Sequence, residues 1–181
     1  MESFPKFAWR RKGGESDPDF IPTFISNRPS NRWVMCHSEV IFSDFQLWTA
    51  WEASVRRFER KTALARTIDA EFLRYLAGTN HVSEAFSRAG VDTDSNAGWL
   101  IYLPEAGFDE IEGVIQLTEV HNSDVNTIAV SLLDLLGCEI DESTRTPNVA
   151  GLNQLGIQDF TEPVDFEILA ISHIHYADLQ T

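Results

Sequence analysis

Two cysteines, two methionines and three lysines in 181 residues set the first limits on this chain. Cys36 and Cys138 lie far apart, and Met1 to Lys12 has charges but no apolar stretch of a secretory leader, so buried thiols in a cytosolic protein are expected rather than a disulfide. No apolar run approaches the ~18 residues that span a bilayer, which excludes a membrane protein. The phosphate-cradling GxxxxGK[ST] loop, the dinucleotide fingerprint G-x-G-x-x-G and the G-x-S-x-G nucleophile elbow are all missing. No active site is visible, and that favours a binding or regulatory role with no cofactor. There is also no repeat and no low-complexity tract.

What is abundant is acid. Fourteen Lys and Arg stand against 28 Asp and Glu, a formal net charge of −14 with a pI near 4.6. That balance argues against a broad nucleic-acid surface and against DNA. The shortage of lysine beside so much carboxylate suggests adaptation to a salty environment. The charge is divided, however. Residues 1–88 hold 13 basic and 11 acidic residues, while 89–181 hold Arg145 against 17 acidic ones. Much of the basic character falls between Arg56 and Arg74. At 43% hydrophobic the chain can bury a sizeable core.

Periodicity and punctuation predict the elements. Phe4–Arg11 reads as a strand, and Asp17 before Pro18 as the cap of a short helix. Trp33–Phe42 reads as a strand. Ser43 and Gln46 form a capping box for a helix whose inner face is Leu47, Trp51, Val55 and Phe58. Thr67 and Asp69 open a second helix that Gly78 ends, and a short third runs from His81 to Ala89. Gly98–Leu103 and Gly113–His121 read as strands around a turn-like 104–112. A helix through Val125 to Leu136 stops at Gly137, and another starts at Thr146–Pro147. Phe166–Tyr176, rich in isoleucine and alternating with histidine, reads as a long final strand. The sum is a compact single α/β domain, a mixed sheet packed with helices in two layers. Residues 1–30 form an N-terminal segment able to supply its first strand and short helix; residues 31–181 form the body.

Three groups could carry chemistry. On a strand, His173 and His175 would share one face and could ligate a metal with Cys36, His37 or His121; the alternative is two polar residues on a half-exposed strand. Asp109, Glu110 and Glu112 make an acidic turn. The end of the first long helix carries Arg56 and Arg60, and Arg57 and Lys61, at i, i+4, with Arg66 and Arg74 nearby. These cations could contact phosphates, or simply complement a helix C-terminus while Glu52, Glu59 and Glu71 neutralise part of them.

One stretch adds a family. Residues 55–91, VRRFERKTALARTIDAEFLRYLAGTNHVSEAFSRAGV, resemble a segment A-F-E-R … E-I-L-x-Y-x-A-G-x-R-Q-I-x-x-A-I-x-x-x-G-V. That segment belongs to the small kinase-binding subunit of the KEOPS complex, the family of the PRPK-binding protein and its archaeal relatives. Phe58, Glu59 and Arg60 match first, then Glu71, Leu73, Tyr75, Ala77 and Gly78, then Ala85, Gly90 and Val91. The resemblance extends over about residues 33–181. It implies an accessory subunit without catalysis of its own, and the salt-adapted composition suggests an archaeal type. Such a subunit binds the atypical kinase/ATPase subunit of an assembly that makes threonylcarbamoyladenosine in tRNA, and in archaeal systems captures the single-stranded CCA end. Arg57, Arg60, Lys61, Arg66 and Arg74 would then contact phosphates, with Gly78, Asn80 and His81 beside them. Leu76, Val82 and Phe86 would face the kinase. Where the family has R-Q-I, this chain has Asn80-His81-Val82, which removes one cation and leaves His81 able to stack or hydrogen-bond. The alternatives are a kinase-binding regulator without tRNA capture and a metal hydrolase built on His173, His175 and a cysteine.

Overall fold

The computed structural model describes residues 3–13, 16–109, 114–118, 122–143, 145–161, 163 and 165–179. Among them run β1 (Lys6–Arg11), α1 (Phe20–Asn27), β2 (Trp33–His37), α2 (Asp44–Glu59), α3 (Ile68–Leu76), α4 (Val82–Ala89), β3 (Ala97–Tyr102), β4 (Ala106–Asp109), β5 (Val114–Leu117), α5 (Asn122–Leu135), β6 (Cys138–Ile140), α6 (Val149–Leu155) and α7 (Phe166–Tyr176). The class is α/β, as expected.

Four strands form one sheet in the order β2-β3-β1-β6, and β4 and β5 pair separately as a hairpin. The sheet's three ladders are antiparallel, with Phe7 opposite Leu100, Met35 opposite Leu100 and Arg10 opposite Glu139. Alternation along the strands feeds two cores. Trp33, Met35 and Leu100 point to one face, where Phe20 and Phe24 of α1 and Val125, Ala129, Leu132 and Leu133 of α5 cover them. Val34, Cys36 and Ile101 point to the other, under α2, α3, α4, α6 and α7. The arrangement is therefore three layers, not two. Both apolar faces of the sheet need cover, and α1 and α5 supply the second.

Local chemistry explains most boundaries. Ser43 Oγ accepts the Gln46 N–H at 3.0 Å, while Gln46 Oε1 reaches past Ser43 to the Phe42 N–H at 2.8 Å. Four helices end with a backbone N–H at a left-handed residue bonded back three positions, and α2, α3 and α6 add a second bond from the next N–H. The Lys61, Gly78, Gly137 and Gly156 positions have positive φ, and Lys61 (φ 55°) is the one that carries a side chain there.

Several expectations shift. α1 starts at Phe20 with Asp19 at its cap, so Pro18 precedes the helix; Asp17 instead accepts the Asp19 N–H at 2.9 Å. β2 ends at His37, and residues 38–42 turn toward α2. Part of the turn-like 104–112 is β4. α6 begins at Val149, because Asn148 rather than Thr146 supplies the capping oxygen, to the Gly151 N–H at 2.9 Å. β6 is a three-residue strand too short to leave a pattern.

The largest correction is the last element: Phe166–Tyr176 is a helix, not a strand. Asp165 caps it, accepting the Ile168 N–H at 3.0 Å. Ala170, Ile174 and Ala177, at i, i+4 and i+7, are the residues it buries. Isoleucine favours strands, but the stripe of Ala170, Ile174 and Ala177, seated on α2 and α3, decides the conformation.

Candidate functional site

The region between α2, α3 and the end of α7 holds most of the residues singled out above. α3 is the unusual element, since all nine of its residues are buried. It is wrapped by α2, α4 and α7 and touches β2. A helix without a solvent face must pair its charges internally. Arg74 donates from Nη2 to Glu71 Oε1 at 2.7 Å and from Nη1 to the carbonyls of Thr79 (3.1 Å) and Ala177 (2.9 Å). Glu71 Oε2 accepts the Ala65 N–H at 2.9 Å, which fixes the loop between α2 and α3. Asp69 accepts from Arg28 at 2.5 Å.

Arg74 is thus a core cation, with no side-chain surface of its own. As a surface phosphate contact it is a correction: burial of α3 on every side takes it inside. The other cations differ. Arg60, Lys61 and Arg66 are exposed and form no ion pair among the described residues. Arg57 is partly exposed. It donates from Nε to Tyr75 Oη at 3.0 Å, from Nη1 to the Thr62 carbonyl at 3.3 Å and from Nη2 to Asp178 Oδ1 at 2.6 Å. Tyr75 Oη lies 2.9 Å and 3.1 Å from the two Asp178 oxygens, and Arg74 Nη2 lies 3.6 Å from Oδ1. The bonds to Tyr75 and Asp178 raise the Arg57 pKa further, and burial is the main cause that raises the Tyr75 phenol.

Gly78 is buried, and a Cβ there would lie 2.4 Å from the His173 ring and 2.6 Å from its carbonyl. It is a packing position rather than an open contact. Asn80 is half-buried and His81 exposed, its backbone N–H donating to Thr79 Oγ1 at 3.2 Å. Arg66 and His81 flank α3 at opposite ends, separated by roughly 13 Å of helix. The structure joins Arg57 to Arg74 through Asp178.

Of the residues expected to face a kinase, Leu76 has no exposed surface and belongs to the core, a second correction. Val82 is half-buried, and Phe86 is 46% exposed on α4. Larger exposed apolar side chains lie on and just after α7, among Glu167, Ser172 and His175. Opposite its buried alanines, Ile168 is 61% and Tyr176 56% exposed, with Leu179 at 72% in the turn beyond. A cavity of about 390 Å³ opens beside this face between Arg88, Ile157, Leu169 and Tyr176. Reading α7 as a strand hid this surface, because the period of 3.6 places Ile168 and Tyr176 together where a period of 2 mixes them with Ile174.

The same change separates the histidines. On a helix, His173 and His175 point in different directions. His173 Nε2–H donates to the carbonyls of Ala77 (2.9 Å) and Leu155 (3.1 Å), and burial lowers its pKa. His175 is exposed. Cys36 is fully buried, and its thiol pKa is driven up by that burial. The shared-face geometry behind the metal reading is therefore absent, and no group of three or more metal-ligating side chains occurs among the described residues. His121, Glu110 and Glu112 lie outside the described residues, while Asp109 ends β4. Also among the described residues, no helix is long and apolar enough to cross a membrane.

A layered α/β domain with exposed apolar side chains on its last helix and a corner of exposed cations has the features of a domain that binds partners. The chain belongs to the family described as kinase binding protein CGI-121, whose profile matches residues 17–136. The match runs from just before α1 to the end of α5, leaving α6 and α7 beyond it. No curated protein matches the chain.

Proposed function

We propose that this protein is a non-catalytic accessory subunit of a KEOPS assembly for threonylcarbamoyladenosine modification of tRNA. It docks on the kinase/ATPase subunit through α7 and receives the tRNA CCA end at the corner between α2 and α3. The observation that carries the kinase half is the apolar face of Ile168, Tyr176 and Leu179, in a chain whose family is named for kinase binding. Exposed apolar and aromatic side chains on one rigid helix are what a partner surface desolvates, and the adjoining cavity can admit a partner side chain. The RNA half is supported by Arg60, Lys61 and Arg66, which are exposed and clustered within seven residues. Single-stranded ends are held by such cations together with stacking side chains; His81 is exposed, but at the far end of α3 from these three cations.

A second reading, a kinase-binding regulator without tRNA capture, is favoured by the burial of Arg74 and by Asn80 standing where the family has arginine. Gel-shift and pull-down measurements on one preparation separate the two. The first reading expects a complex with the KEOPS kinase of the same organism, and tRNA binding that weakens when the CCA end is trimmed. A kinase complex with equal affinity for trimmed and intact tRNA supports the second reading. No kinase complex overturns both.

A further inference from the structure

We infer that Arg57, Tyr75 and Arg74 form a phosphate seat which the chain's own Asp178 fills in the free protein, and that single-stranded RNA engages by displacing that carboxylate. The inference rests on the RNA half of the function proposed above.

The Asp178 carboxylate is held by two guanidinium groups and a phenol: Arg57 at 2.6 Å, Tyr75 at 2.9 and 3.1 Å, and Arg74 at 3.6 Å. Cationic forks and a hydroxyl converging on one anion are equally suited to the non-bridging oxygens of a phosphodiester. The seat is built independently of its occupant. Arg74 is fixed by Glu71 and by the carbonyls of Thr79 and Ala177, and Arg57 by the Thr62 carbonyl and Tyr75. The occupant is the loosely held part. Asp178 lies in the turn after α7, and its side chain is 42% exposed where that of Arg74 is wholly covered. Its departure breaks the ion pairs to Arg57 and Arg74 and the hydrogen bonds from Tyr75, while Arg74 keeps its bond to Glu71.

Charge makes the exchange directional. With Asp178 seated, two arginines balance Glu71 and Asp178. With Asp178 gone, the site carries one net positive charge beside Arg60, Lys61 and Arg66. The internal carboxylate thus keeps a buried cation paired while no RNA is present, and it sets a threshold that a free anion must beat. Phosphate competes best when its neighbours along the strand are already held by the outer cations, which raises its effective concentration at the seat.

The test is fluorescence anisotropy with a short single-stranded RNA ending in CCA, using the full chain across a salt series. Asp178→Asn keeps the shape and removes the charge. It is expected to bind at least fivefold tighter than the wild type, with a salt slope steeper by up to about 0.7, one phosphate's worth on a single strand. Arg57→Gln placed on top of Asp178→Asn is expected to abolish that gain. Thermal melting of each variant accompanies the titration. If the wild type binds and Asp178→Asn binds equally or more weakly, the internal competition is wrong and the RNA reading stands. If Asp178→Asn is unfolded, Arg57→Gln alone decides: unchanged RNA affinity overturns the seat, and a loss supports it. If neither the wild type nor Asp178→Asn binds, the RNA reading falls and this inference with it.

Discussion

α3 and α7 lie against each other and reverse the usual assignment of side chains. α3 buries all nine of its residues, charges included, whereas α7 buries Ala170 and Ile174 and leaves Ile168 and Tyr176 in solvent. In α3 the arginine is structural. In α7 the isoleucine is surface. Residue type alone therefore misassigns both: Arg74 reads as a ligand contact and Ile168 as core. What decides is how many neighbours surround each helix, α2, α4, α7 and β2 around α3, but chiefly α2 and α3 against α7.

Replacing the core cation should break this contrast most severely. Arg74→Met leaves the Glu71 carboxylate buried without its partner, and a loss of about 3–5 kcal/mol is expected, lowering the melting temperature by roughly 6–20 °C. Arg74→Met with Glu71→Leu should recover much of it, measured by denaturant titration. A single variant within 1 kcal/mol of wild type would show that α3 is not closed on all sides.

Gly78→Ala comes next. The position has φ 57° and no room for a Cβ against the His173 ring and carbonyl. More than about 2 kcal/mol should be lost, read from the same titration, and α7 should be the element that loosens in hydrogen exchange.

A smaller effect links the helices through pH. His173 donates from Nε2 to the Ala77 carbonyl at the end of α3, and burial holds its pKa below the ordinary value. The folded state therefore favours the neutral ring. Its contribution is complete above the unfolded value of about 6.5 and is lost as pH falls through the lower folded value. Wild-type melting temperature should fall between pH 7.5 and 5.5, and His173→Gln should fall less over that interval. Equal falls would place the pH response elsewhere.

The smallest change concerns the cation corner. Lys61 pays a backbone cost at φ 55° that glycine avoids. Lys61→Gly should gain about 0.5–1 kcal/mol in stability while weakening RNA binding slightly. A loss of stability would contradict the left-handed position.

Much of this was legible from the chain. The start of α2 at the Ser43 and Gln46 capping pair, the glycine end of α3 and the strand through Leu100 follow from caps, punctuation and alternation. So does the motif that carries the resemblance, although its residues prove mainly architectural. Glu71 pairs Arg74, Tyr75 meets Asp178, the Ala77 carbonyl receives His173, and Gly78 makes room for that ring. The third layer, the helical state of α7 and the seat around Asp178 were not legible. Each depends on which elements pack together across more than 100 residues of chain, as between Tyr75 and Asp178 (103 apart). Local propensity carries no such record, and in α7 it pointed the other way.

Whether the exposed side of α7 is the kinase surface is tested by one calorimetric titration. The KEOPS kinase of the same organism is titrated into wild type, Ile168→Asp with Tyr176→Asp, and Phe86→Asp on α4. The α7 pair should lose at least tenfold in affinity, about 1.4 kcal/mol, with melting temperature nearly unchanged, and Phe86→Asp should bind as wild type does. Wild-type affinity in the α7 variant, with loss in Phe86→Asp, would contradict that placement.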